Sequence, residues 1–177
     1  MSRFDEFKLT IELVPETSWY DNLRKLMPKT AWDKLRKTVY AECSHKCGVC
    51  GAANGRLHCH EMWEYDEERH KQRLVGFTAL CGLCHLVKHI GLAAALAEEG
   101  ALDYKKIVKH FMKVNGCNRR TFEEYREWAF AQWDERSQYK WQVELGKYAS
   151  LFPSTFPKKK IALTEDSSRR KTGKGYL

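Results

Sequence analysis

The sequence predicts a mixed α+β fold: a zinc-braced ββα unit in mid-chain, with additional helices N- and C-terminal to it. Three observations carry this expectation. Two matched pairs, Cys47-Gly-Val-Cys50 and Cys81-Gly-Leu-Cys84, bracket one compact segment. Between them LHCHEMW and LVGFTAL read as strands, separated by the polar stretch DEERHKQR. On both sides of this segment apolar residues recur at helical spacing.

The 177 residues suit one domain with an appendage, and 43% apolar content is enough for a core. No apolar run is long enough to span a bilayer, so no membrane partner is expected. MSRFDEFKLT has acids and no apolar stretch, so it does not read as a secretory signal. A cytoplasmic setting with reduced thiols follows as an expectation. Seven cysteines, four of them in CxxC pairs, favour metal over disulfides. The net charge is +8, and residues 153–177 hold 7 basic and 2 acidic residues, so most of the excess sits there. Such an end attracts polyanions without regard to their sequence.

Four regions are expected: an N-terminal strand and helix extension (1–46), a zinc-knuckle core (47–100), a helical region packed on it (101–152) and a basic, disordered tail (153–177). In the first, LTIELVP (9–15) reads as a strand ended by Pro15, and SWYDNLRKLM as a short helical turn. Thr30 can cap a helix over AWDKLRKTVYAE, with Trp32, Leu35 and Val39 on one side. LVKHIGLAAALAEEG predicts a helix ending at Gly100, and DYKKIVKHFMKV another, with Ile107, Phe111 and Val114 on one face. FEEYREWAFAQWDERSQYKW predicts a third, capped by Thr121, and WQVELGKY a short closing strand.

Each CxxC is a knuckle, a tight turn that presents two sulfurs and nearby amides to one ion. Two knuckles supply four thiolates, the donor set of a closed, tetrahedral zinc site. That assignment leaves the histidines unused. His58 and His60 alternate onto one strand face and Cys59 onto the other. His85 and His89, four residues apart, share a helix face and can bind one metal. An imidazole facing a cation-bound phosphate can take a proton from water, while the cation stabilises the developing charge.

CGVC, LHCHE and LCGLCHLVKH together resemble the HNH endonucleases of the His-Me finger, or ββα-metal, superfamily. The resemblance covers about residues 47–89. It implies a ββα-metal core in which His60 is the general base and His85 a ligand of a catalytic divalent cation (Mg2+, Mn2+, Ni2+ or Zn2+). It also implies a further ligand at His89, with His58 as the third in place of the usual residue before the base, here Cys59. Glu61 is the alternative third ligand. The family's middle Asn falls on Gly76, for which His70, Gln72 and Thr78 are stand-ins. The implied activity is hydrolysis of phosphodiester bonds in double-stranded DNA, in a bacterial or phage setting. A zinc module that binds nucleic acid or protein without catalysis is the alternative.

Arg24, Lys25, Lys34, Arg36 and Lys37, with Trp19 and Tyr20 nearby, form a candidate DNA-backbone surface, to which Arg119 and Arg120 could add. The remaining chemistry-bearing residues have ordinary readings. Cys43 and Cys117 read as buried thiols, His45 as superfluous beside four thiolates and His110 as solvated. The tryptophans at 128, 133 and 141 read as helix packing.

Overall fold

The computed structural model describes residues 3–18 and 23–152. Trp19, Tyr20 and the basic 153–177 segment lie outside the described residues. The architecture is α+β: six helices, two short 3-10 turns and one three-stranded sheet among the described residues. The helices are α1 (Leu23–Leu26), α2 (Lys29–Glu42), α3 (Gly82–Lys88), α4 (Ile90–Glu98), α5 (Tyr104–Asn115) and α6 (Arg119–Ser137). The strands are β1 (Leu57–Asp66), β2 (Lys71–Cys81) and β3 (Gln142–Glu144).

The hairpin is the centre of the molecule. β1 and β2 pair antiparallel from Leu57–Cys81 at one end to Asp66–Lys71 at the other, and β3 adds parallel to β2. The register skips one residue, because Met62 faces Gly76 while Trp63 faces Leu74. Val75 is therefore the extra residue of a β-bulge and is exposed. The bulge has a packing consequence. Leu74 and Phe77 lie three apart, which strict alternation would put on opposite faces, yet both join one apolar cluster with Ala79.

Two apolar clusters flank the sheet. One gathers Leu80, Cys47 and Cys84 with α3, α5, α6 and the segment around Phe4, Leu9 and Ile11. The other gathers Leu74, Phe77 and Ala79 with Leu23, Met27, Trp32, Val39 and Leu145. Each cluster draws on chain from both sides of the knuckle segment, so burial crosses the expected regional boundaries.

Several local expectations are corrected. Residues 9–15 form no strand: no ladder pairs them, and several of their backbone groups are met by side chains while Glu12 N–H donates to Lys88 C=O at 3.0 Å. Asn115 Oδ1 accepts from Leu9 N–H at 2.9 Å, its Nδ2 donates to Leu9 C=O at 2.9 Å, and Tyr125 Oη accepts from Ile11 N–H at 3.0 Å. Thr30 does not cap α2, which starts at Lys29 behind Pro28 without a side-chain cap. Thr121 is not the cap of α6 either: Asn118 precedes the helix, and its Oδ1 accepts from Thr121 N–H. The helix expected over 86–100 is two helices, broken where His89 leaves helical geometry with φ −103° and ψ 47°. α5 starts behind Asp103, which caps it, and ends at Gly116, whose φ of 62° is the left-handed conformation that glycine adopts without strain.

Candidate functional site

The two knuckles converge as their spacing implies. Ligand atoms of Cys47, Cys50, Cys81 and Cys84 all lie within 4.8 Å of one another, and Cys50 Sγ and Cys81 Sγ are 3.7 Å apart. Zinc–sulfur bonds of about 2.3 Å in a tetrahedron place sulfurs about 3.8 Å apart. The set can therefore hold a metal ion such as zinc.

Local structure explains the convergence. The first knuckle folds back through Gly51 N–H to Cys47 C=O and Cys47 N–H to Ala52 C=O, both 2.9 Å. It docks on β2 through Gly48 N–H to Ala79 C=O at 2.8 Å. A Cβ at Gly48 would sit 2.6 Å from Thr78 Oγ1, so any larger residue there forces the threonine hydroxyl to move. The second knuckle is the β2–α3 junction itself, where Cys81 Sγ accepts from Cys84 N–H at the helix start. Burial acts to raise the Cys47 thiol, but the Cys50, Cys81 and Val49 amides outweigh it and bring the thiol down to about 7. Burial and neighbouring sulfurs push Cys84 up, and burial raises Cys81. Thiols so crowded shed their protons together only when a cation neutralises them.

His110 corrects an expectation. It is half-buried rather than fully solvated, and its Nε2 lies 3.1 Å from Cys84 Sγ, so α5 contributes a hydrogen bond to the cysteine group. The signal was its place at the edge of the Ile107–Phe111–Val114 stripe.

A second group forms directly after the second knuckle, with His85 next to Cys84 and His89 just past the end of α3. Ligand atoms of His60, His85 and His89 lie within 4.8 Å of one another. The His85 and His89 ring centroids are 4.7 Å apart although the helix breaks between them. His60 reaches them from β1, at 5.5 Å from His85 and 5.0 Å from His89. Burial, reinforced by the neighbouring histidines, holds His85 down to about 3 and His89 to about 4, so both rings are neutral, as metal ligation requires.

His60 is 4% exposed. Its Nε2 lies 2.8 Å from Glu12 Oε2, while its Nδ1 is buried without a hydrogen-bond partner. Glu12 also accepts from the buried Lys88 Nζ, which donates to Thr10 Oγ1 at 2.8 Å as well. Burial acts to raise the Glu12 carboxyl, but the His60 hydrogen bond and the Lys88 charge prevail and hold it at about 2. Glu12 was missed in the sequence, where it is one polar position in an alternating stretch.

The other expected site residues divide. His58 is outside the three-histidine group; it stacks on His85 at 4.7 Å and 14°, half-exposed in the adjoining cleft. Glu61 and Cys59 line the same cleft from the opposite strand face. Burial raises the Glu61 carboxyl. Of the stand-ins for the middle Asn, His70 stacks on Tyr139 at 4.3 Å, Gln72 is buried, and Thr78 faces His60 across the ladder with its hydroxyl against Gly48. Gly76 itself lies under Met62, whose Cε would be 2.6 Å from a Cβ there.

In comparisons with protein-family models, curated proteins and solved structures, nothing matches this chain.

The cleft beside the histidines has a volume of about 1970 Å³. His58, His85 and His89 line it, as do Arg24, Lys25, Lys29, Arg36 and Arg56 from α1, α2 and the loop before β1. Lys37 is exposed on α2 and does not line it. Arg119 and Arg120 also stand outside it, paired with Glu123 at 2.5 Å and Glu124 at 3.1 Å. Trp128 packs in the first apolar cluster, Trp133 donates to Val14 C=O, and Trp141 is buried. Cys43 and Cys117 pack partly buried at the two clusters. No helix among the described residues is long and apolar enough to cross a membrane.

Proposed function

We propose that this chain is a metal-dependent endonuclease of the HNH type that hydrolyses phosphodiester bonds in double-stranded DNA. One observation carries the reading: three imidazoles from a strand and a broken helix meet, two of them line a cleft with basic side chains, and the third, buried behind them, keeps an unpartnered nitrogen. A buried polar nitrogen without a partner is unfavourable unless something binds it. Imidazoles suit Zn2+ and Ni2+ better than Mg2+ or Mn2+, which prefer oxygen ligands. A divalent cation held by these side chains would supply charge stabilisation to the phosphate and the leaving oxygen.

The chain's own residues supply the rest. The zinc proposed for the four thiolates fastens the hairpin to the start of α3, which sets His58 and His60 against His85 and His89. The imidazoles divide two tasks, holding the cation and taking a proton from the attacking water. Arg24, Lys25, Lys29, Arg36 and Arg56 suit the phosphate backbone, and the net charge of +8 favours a polyanion.

The test is cleavage of supercoiled plasmid by the purified full chain with Mn2+, Ni2+, Zn2+ or Mg2+. The expected products are nicked or linear DNA with 5′-phosphate and 3′-hydroxyl ends, and His85→Gln removes the activity. Intact plasmid with every cation, from a folded protein, refutes the reading.

A further inference from the structure

We infer that His60 is a metal ligand through Nδ1, completing a three-imidazole site with His85 and His89, and that Glu12 is the positioning residue that sets its ring. This deepens the nuclease reading and rests on it for the chemistry. It also exchanges the roles that the HNH resemblance implies, in which His60 takes the proton and His58 binds the ion.

The tautomer follows from donor and acceptor inventory. Glu12, bonded to the Lys88 ammonium, is a carboxylate and can only accept. The nitrogen 2.8 Å from it, His60 Nε2, must therefore carry a proton. In the neutral form that metal ligation requires, Nδ1 is then the lone-pair nitrogen, and it is the atom left buried without a partner. A lone pair closed off from solvent is poorly placed to meet a water arriving through the cleft. The three rings each bring one nitrogen within 4.8 Å of the others, and Nδ1 is the His60 nitrogen that Glu12 leaves free for a shared ion. A carboxylate on the far nitrogen of a ligating histidine fixes the ring and strengthens the ligand. Lys88, buried and also bonded to Thr10, holds Glu12 in place for that purpose.

The same geometry leaves His58 as the cleft-lining imidazole that stands outside the ligand group. It stacks on His85 rather than joining the group, so its nitrogens are available to a water at the cleft floor.

The experiment is a Co2+ titration of the full-length protein, carrying zinc in its thiolate group, followed by visible absorption. One Co2+ should bind with nitrogen-type bands and no sulfur charge transfer. Glu12→Gln should weaken binding by about 10–100-fold. His60→Gln should abolish it, and His58→Gln should leave it unchanged. Equal affinity in Glu12→Gln, or loss in His58→Gln with retention in His60→Gln, overturns the assignment. Nitrogen-detected NMR of the wild-type histidines gives a reading that needs no variant. His60 should be protonated at Nε2 alone, and protonation at Nδ1 overturns it. The two readings fail separately. Co2+ binding as described without plasmid cleavage removes the nuclease reading alone. Cleavage that survives in His60→Gln removes the ligand assignment alone.

Discussion

The Nε2 of His110 lies 3.1 Å from Sγ of Cys84, joining the second turn of α5 to the start of α3. A neutral imidazole that donates here offsets part of the charge that four thiolates concentrate. Removing it should weaken metal retention without removing a ligand. His110→Ala is expected to release zinc to a chelator at about 10–100-fold lower chelator concentration than wild type, in line with outer-shell partners elsewhere. Unchanged retention would make the contact incidental.

Metal removal should do more than loosen the knuckles. Structural zinc supplies about 10–16 kcal/mol, and a domain's whole stability is about 5–15 kcal/mol. The thiolate group also ties the loop before β1 to the β2–α3 junction, so its loss should unfold the centre. Cys81→Ser, or exhaustive chelation, is expected to abolish the cooperative thermal transition seen by circular dichroism. A folded, zinc-free Cys81→Ser protein would count against a structural metal.

The two knuckle glycines look equivalent in sequence but differ in space. A Cβ at Gly48 meets Thr78 Oγ1 at 2.6 Å, whereas one at Gly82 meets nothing within 4 Å. Gly48→Ala should destabilise by about 1–3 kcal/mol through overpacking. Gly82→Ala, at the first position of α3, should be neutral or slightly stabilising. Chemical denaturation of both variants decides it, and equal effects would contradict the docking of the first knuckle.

Tyr125 ties the N-terminal segment to α6, since its hydroxyl accepts from Ile11 N–H, next to Glu12. It is 2% exposed, and burial pushes its phenol up to about 12. A raised pKa means stability fully present below the unfolded value near 10 and lost as pH rises toward 12. Tyr125→Phe should therefore have a shallower alkaline decline than wild type over that window, by up to about 3 kcal/mol. Parallel declines would show that the phenol does not contribute.

Charges should sort by place. Arg56→Ala, at the cleft, is expected to lower DNA affinity and to reduce the salt slope by about 0.9. Arg119→Ala and Arg120→Ala, paired with acids on their own helix, should change neither. Fluorescence anisotropy at several salt concentrations measures both, and equal slopes for all three would dissociate the cleft from DNA.

The thiolate group was legible because a CxxC knuckle is a local object: both sulfurs and their amides lie within four residues. Strand alternation likewise put His58 and His60 on one face and Cys59 on the other. His85 and His89 were legible as neighbours, but for a partly wrong reason. The expected continuous helix is broken at His89, and β1 together with the packed first cluster keeps the rings in contact. Residues 9–15 alternate as a strand does, yet Asn115 and Tyr125 take their hydrogen bonds, and no pattern in a single segment reveals a partner 106 or 114 positions away.

The sequence by itself therefore determined the α+β class, the hairpin, the four cysteine donors and the local pairs His58/His60 and His85/His89, the pairs being set by spacings of 2 to 4 residues. Only the tertiary structure decided what stands behind those donors. Glu12 meets His60 across 48 residues and His110 meets Cys84 across 26. Such contacts are made where helices and extended chain pack over a buried apolar cluster, and packing of that kind depends on the whole fold rather than on any local pattern.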